Sequence, residues 1–149
     1  MERILSIVPR FPFRYNPFMK KISLQTRKRN EIVDITAQVS QALKSLSATS
    51  GTVTLYCPHT TAAISVNENY DPAVKTDTLA FMNKLIPQDY PFDHAEGNSD
   101  AHIKGGLFNF SQSFIVEDGR LQLGQWQGIF FMEFDGPRSR EVWIQFSKS

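Results

Sequence analysis

A chain of 149 residues is the size of one domain and can bury a core without disulfides or metals as staples. Its 16 basic and 15 acidic residues leave a net charge of +1, which gives no nucleic-acid or membrane-surface footprint. The single cysteine, Cys57, excludes an intrachain disulfide, and no apolar run approaches the ~20 residues of a membrane span, so a cytoplasmic location is the default expectation.

Residues 1–19 stand apart, with Pro9, Pro12 and Pro17 among Phe11, Phe13, Tyr15 and Phe18 and no clean period. They read as an N-terminal extension that packs its aromatics onto a surface, with 20–149 as the single domain. KKISLQTR alternates apolar and polar residues and predicts a strand, with NEIVDI as its hairpin partner. Ile35, Val39, Ala42, Leu43 and Leu46 then recur at helical spacing, capped by Asp34 or Thr36. GTVTLYC and AAISVNE predict strands on either side of Pro58.

Asp71–Pro72 opens a second helix whose buried stripe is Val74, Thr78, Phe81, Met82 and Leu85. DHAEGNSDAH, residues 93–102, carries no apolar period and predicts a polar loop. Beyond it, Asp118–Gly119 between apolar runs signals a hairpin, and WQGIFFMEF and EVWIQF predict strands joined by DGPRSR. Two main helices on a sheet rich in antiparallel pairing define the α+β class.

All three histidines fall in two polar segments, PHTTAA and DHAEGNSDAH. Imidazole can ligate a metal or move a proton near pH 7. His59, His94 and His102 could thus supply three nitrogen ligands with an open position, as in catalytic zinc sites, though copper, nickel or iron suit imidazole too. The alternative is three unrelated surface or hydrogen-bonded histidines. Glu96 and Asp100 read as ligand, general base or orienting partner, or as a solvated acidic loop. Asn98 supplies turn geometry beside Gly97.

Thr60 and Thr61 could hold an anion at a strand end, or be ordinary strand threonines. Lys104 before Gly105–Gly106 could bring backbone and charge to a phosphate. Arg138 and Arg140 on the DGPRSR turn could clamp one bidentately, or simply be solvated. Cys57 falls at an inward position and reads as a buried small side chain.

GTVTLYCPHTTAAISVNENYDPAV, HAEGNSDAHIK and GRLQLGQWQGIFFMEFDGPRSREV, in this order, resemble the YjbQ family from about Lys20 to the C-terminus. The resemblance implies an α+β sandwich whose mixed, largely antiparallel sheet curls towards a barrel, assembled as a homotrimer. It implies that His59, His94 and His102 are active-site residues binding a divalent metal, zinc before others. Glu96, Asn98 and Asp100, which match the second motif, read as catalytic residues, and Thr60, Thr61, Lys104 and Arg138 as contacts to a phosphorylated small-molecule substrate.

The activity it implies is that of a metal-dependent enzyme, a secondary thiamine-phosphate synthase. Such an enzyme joins a pyrimidine pyrophosphate to a thiazole phosphate with loss of pyrophosphate. The second reading is a metal- or ligand-binding homotrimer without catalysis. Three features depart from the family: residues 1–19, Gly105–Gly106 in place of Ala-Ser or Ala-Ala, and Gln125 in place of Thr.

Overall fold

The computed structural model describes residues 19–149. The extension expected at 1–19, and its packing across a subunit boundary, lie outside the described residues apart from Met19, which opens the first strand.

Among the described residues, eight strands form two sheets. The larger runs β1 (Met19–Gln25), β8 (Ser139–Lys148), β3 (Gly51–Tyr56), β5 (Ser111–Glu117), β6 (Arg120–Leu121). The smaller runs β2 (Glu31–Asp34), β7 (Gln127–Glu133), β4 (Ala62–Glu68). Every strand pair is antiparallel, and the curled sheets with their helices make the α+β sandwich expected.

Alternation explains the larger sheet. Val53 and Leu55, Phe114 and Val116, and Val142, Ile144 and Phe146 all point inward, where they meet Ile64, Ile129 and Phe131 of the smaller sheet and Ile35, Val39 and Leu43 around α1 (Thr36–Ser45). Burial of each such side chain is worth about 1.5–3 kcal/mol. Strand β7 is different, because its second face is covered too. Phe130 and Met132 pack with Ala63, Ala101 and Phe134, beside Leu79 of α2 (Pro72–Leu85). Two covered faces account for the unbroken apolar run IFFM.

Three expectations are corrected by this packing. The first two strands are no hairpin: β1 pairs with β8 and β2 with β7, so the chain crosses between sheets at Thr26–Asn30. Residues 99–107 are a third helix, α3 (Ser99–Leu107), not a loop. Its buried face carries Asp100, Ala101, Lys104 and Gly105, so charge on the inside hides the helical period. On α2 only Met82 of the expected stripe is buried, while Phe81 and Leu85 are 63% and 58% exposed.

Other local signals act as read. The Asp71 side chain caps α2 by accepting the Ala73 N–H at 2.8 Å. Asp118 and Gly119 adopt φ of 50° and 71° at the β5–β6 turn, the left-handed pair that an Asp-Gly hairpin requires. At α1 the cap position is Ile35, not the expected Asp34 or Thr36, and it makes no side-chain cap, though Asp34 accepts from both the N–H and hydroxyl of Thr36. No described helix is long and apolar enough to cross a membrane.

Candidate functional site

The three histidines do not share one site in the chain. His59 lines an open cleft of about 530 Å³ with Ser23, Leu24, Gln25, Ser139, Arg140 and Glu141. His94 and His102 line another, of about 430 Å³, with Phe92, Asp93, Ser99 and Ile103. Their rings stand edge to face at 5.3 Å between centroids, and Glu96 approaches His94 Nε2 only to 3.7 Å. Among the described residues, no group of three or more His, Cys, Asp or Glu is placed to hold a metal ion.

His59 follows β3 after Pro58, at the point where the chain leaves the larger sheet. Its Nε2 accepts the backbone N–H of Glu141 at 3.0 Å, and its edge meets Phe131. A ring nitrogen that accepts a hydrogen bond is unprotonated, so the neutral ring carries its hydrogen on Nδ1. Burial lowers the His59 pKa below its usual 6.5, and the nearby Arg140 guanidinium lowers it further. Held this way, neither nitrogen is a ready ligand, because one is occupied by Glu141 and the other is protonated. The donor set therefore does not fit the divalent cation expected.

A buried ion pair underlies the cleft. Arg140 Nε and Nη2 donate to the two Glu133 oxygens at 2.7 Å each, and Nη2 also donates to Thr61 Oγ1 at 2.9 Å. Glu133 further accepts from Thr26 Oγ1 and from the N–H groups of Phe134 and Asp135. Buried charge of this kind persists only when every lone pair is met. Glu141, at the cleft wall, is held below its usual carboxyl pKa by the Trp143 indole N–H first, with Lys21 adding to it against burial.

Most residues expected around a substrate serve the fold instead. Thr61 is buried on Arg140, while Thr60 is exposed. Lys104 is buried and donates to Asp100 at 3.0 Å and Asn83 at 2.9 Å, which removes it from any surface phosphate. Asp100 is buried between Lys104 and Arg29, so it is no exposed base. Gly105 brings α3 against the backbone of Thr60 and Ala62, where an added Cβ would sit 3.3 Å from the Thr60 carbonyl oxygen. Its close approach is to a strand, not to a phosphate.

Asn98 donates to Asp135 Oδ2 at 2.9 Å. Arg138 donates from Nη2 to the same oxygen and from Nε to the Asp135 carbonyl, with its side chain 53% exposed. Burial alone would raise the Asp135 carboxyl pKa, but Asn98 and Arg138 hold it below the usual value. Burial pushes the Cys57 thiol up to about 11, so it is no nucleophile. Glu133, Glu141 and Gln25 were not singled out from the sequence. The one signal for Glu133 is a carboxylate inside IFFMEF, a run otherwise too apolar to tolerate it unpaired.

The geometry defines an antiparallel α+β sandwich with a histidine cleft at the edge where β1 and β8 meet. A family model described as UPF0047 protein YjbQ-like matches residues 20–149, and the chain belongs to that family. It is 50% identical over 125 residues to UPF0047 protein MJ1081 of Methanocaldococcus jannaschii, covering 84% of this chain and 91% of that one. It is 48% identical over 128 residues to UPF0047 protein YugU of Bacillus subtilis, covering 85% and 97%. A crystal structure of an uncharacterized conserved YjbQ/UPF0047 protein of Clostridium acetobutylicum superposes with a TM-score of 0.83 at 44% identity over 86% of this chain and 99% of that one. A YbjQ-like protein of unknown function from Sulfolobus solfataricus gives 0.84 at 29% identity over 89% and 97%.

These findings correct the function expected from the resemblance. The relatives carry a family name without an activity, and the described residues offer no three-ligand metal group. Neither a thiamine-phosphate synthase nor a metal-dependent enzyme on a phosphorylated substrate stands, and the metal-binding alternative falls on the same ligand geometry.

Proposed function

We propose that the His59 cleft binds a small organic molecule, to which the His59 Nδ1–H is a fixed hydrogen-bond donor. One observation carries this reading. An imidazole sits in an open cleft with its tautomer fixed by a backbone N–H, over a buried ion pair that links β7 to β8. A group that must meet a ligand in one orientation needs this combination of access and fixed direction.

A fragment screen read by the backbone amide shifts of Glu141 and Ser139 tests it. Hits that perturb those amides in the wild type and not in His59→Ala support the reading. Hits confined to the His94–His102 cleft contradict it.

We also propose that the chain works as a homotrimer. Phe81 and Leu85 on α2, and Ile103 and Leu107 on α3, form two i,i+4 apolar stripes that the chain itself leaves exposed. Light scattering of the full chain should give three times the 17.0 kDa chain mass. Phe81→Glu combined with Leu107→Glu should lower that mass. A monomer for the wild type contradicts the assembly.

A further inference from the structure

The His59 cleft holds one charged donor that the fold leaves unfinished. Arg140 is only 9% exposed, and its Nε and Nη2 are spent on Glu133 and Thr61. Its Nη1 has no hydrogen-bond partner among the described residues, yet it is not one of the polar atoms sealed from solvent, and Arg140 lines the cleft. Nη1 therefore presents its N–H groups to the cleft. The second fixed donor there is His59, whose Nε2 is occupied by Glu141 and whose hydrogen is on Nδ1.

Two acceptors of the cleft are already engaged. Gln25 Oε1 takes the Ser139 hydroxyl, and Glu141 Oε1 takes Lys21 and Trp143. Neither Arg140 Nη1 nor His59 Nδ1 has a hydrogen-bond acceptor among the described residues. Arg138 stands one residue before Ser139, and its backbone is tied to Thr26 in both directions, Thr26 N–H to its carbonyl at 3.0 Å and its own N–H to Thr26 Oγ1 at 2.8 Å. Arg27 and Lys28, which follow Thr26, are exposed, but neither they nor Arg138 lines the cleft, and Arg138 is paired with Asp135.

We infer that the ligand of this cleft carries a carboxylate, with one oxygen on Arg140 Nη1 and the other on His59 Nδ1. The inference rests on the proposed use of the His59 cleft and adds the class of its ligand. A planar two-oxygen monoanion suits a guanidinium arm beside an imidazole N–H. A phosphate dianion suits it less, because Glu133 lies behind Arg140 and Glu141 lines the wall, so the interior charge is already matched.

The test uses matched probes on the full chain: benzoate against benzamide, and inorganic phosphate, each titrated at constant ionic strength and read by the Glu141 amide and the His59 ring resonances. Benzoate should give saturable shifts at both, with affinity about tenfold above benzamide, since charge-assisted hydrogen bonds outweigh neutral ones. Phosphate should bind more weakly than benzoate. Arg140→Lys, which keeps a charge for Glu133 and removes Nη1, should erase the preference for benzoate. If that variant does not fold, the wild-type probe pair still decides.

Equal affinity for benzamide, or tighter binding of phosphate, overturns the carboxylate and leaves the cleft reading in place. No saturable shift at Glu141 or His59 with any of the three overturns the carboxylate. If the fragment screen is also silent at Glu141 and Ser139, the cleft reading falls with it.

Discussion

His59 and the His94–His102 pair are the same chemistry on two different supports. His59 is carried at the end of a central strand, bonded to the neighbouring strand's backbone and set over a buried ion pair. His94 and His102 sit at the start of α3 and in the turn before it, half open to solvent, with each other as nearest ring. A site that must hold a proton in one orientation needs the first kind of support. The second kind can be altered with little effect on the fold, which makes the contrast testable.

The largest effect should come from the support of His59. Arg140→Ala leaves the Glu133 carboxylate buried and unpaired, which costs about 3–5 kcal/mol. Urea unfolding should show that loss, and Glu133→Leu with Arg140→Leu should recover much of it, because removing both charges leaves neither stranded. A loss below ~1 kcal/mol in Arg140→Ala would mean that the pair does not brace the cleft.

Lys104→Met comes next. It removes a buried cation from Asp100 and Asn83 while Arg29 still meets the other Asp100 oxygen, so about 1–3 kcal/mol should be lost in the same measurement. At the other end of the scale stands His94→Ala, or His102→Ala, each within about 0.5 kcal/mol of wild type. A large destabilisation by either would erase the distinction between the two supports.

A pH series sharpens the comparison from another side. The folded His59 pKa lies below 6.5, so the unfolded chain binds more protons in the window between the two values. His59 therefore contributes stability that is fully present above about 6.5 and is lost as pH falls towards the folded value. Asp135 adds a second loss at lower pH, since its stabilisation is present above the ordinary 3.8 and declines as pH falls through its depressed pKa. His59→Gln should flatten the first decline and spare the second. An unchanged profile in that variant would contradict the depressed histidine.

The sequence carried the parts of the fold that follow local rules. The Asp71–Pro72 helix start, the Asp118–Gly119 turn and the alternating strands of the larger sheet are set by nearest neighbours, and they appear where the pattern places them. It did not carry α3, because Asp100 and Lys104 satisfy each other inside and so reverse the usual sign of a buried face. Nor did it carry the pairing of β1 with β8, whose partners lie up to 126 residues apart, as Met19 is from Gln145.

The site was legible in part for the same reason. Three histidines in two polar segments drew attention to His59. What fixes its proton is the backbone N–H of Glu141, a group with no signature in the sequence. Grouping the histidines by residue type brought together rings that the fold sets in separate clefts.

The most direct measurement is the tautomer of His59 by long-range ¹H–¹⁵N correlation at neutral pH. The account predicts a neutral ring protonated at Nδ1, with Nε2 showing the shift of an unprotonated nitrogen that accepts the Glu141 N–H. A ring protonated at Nε2, or a charged imidazolium at that pH, would contradict it.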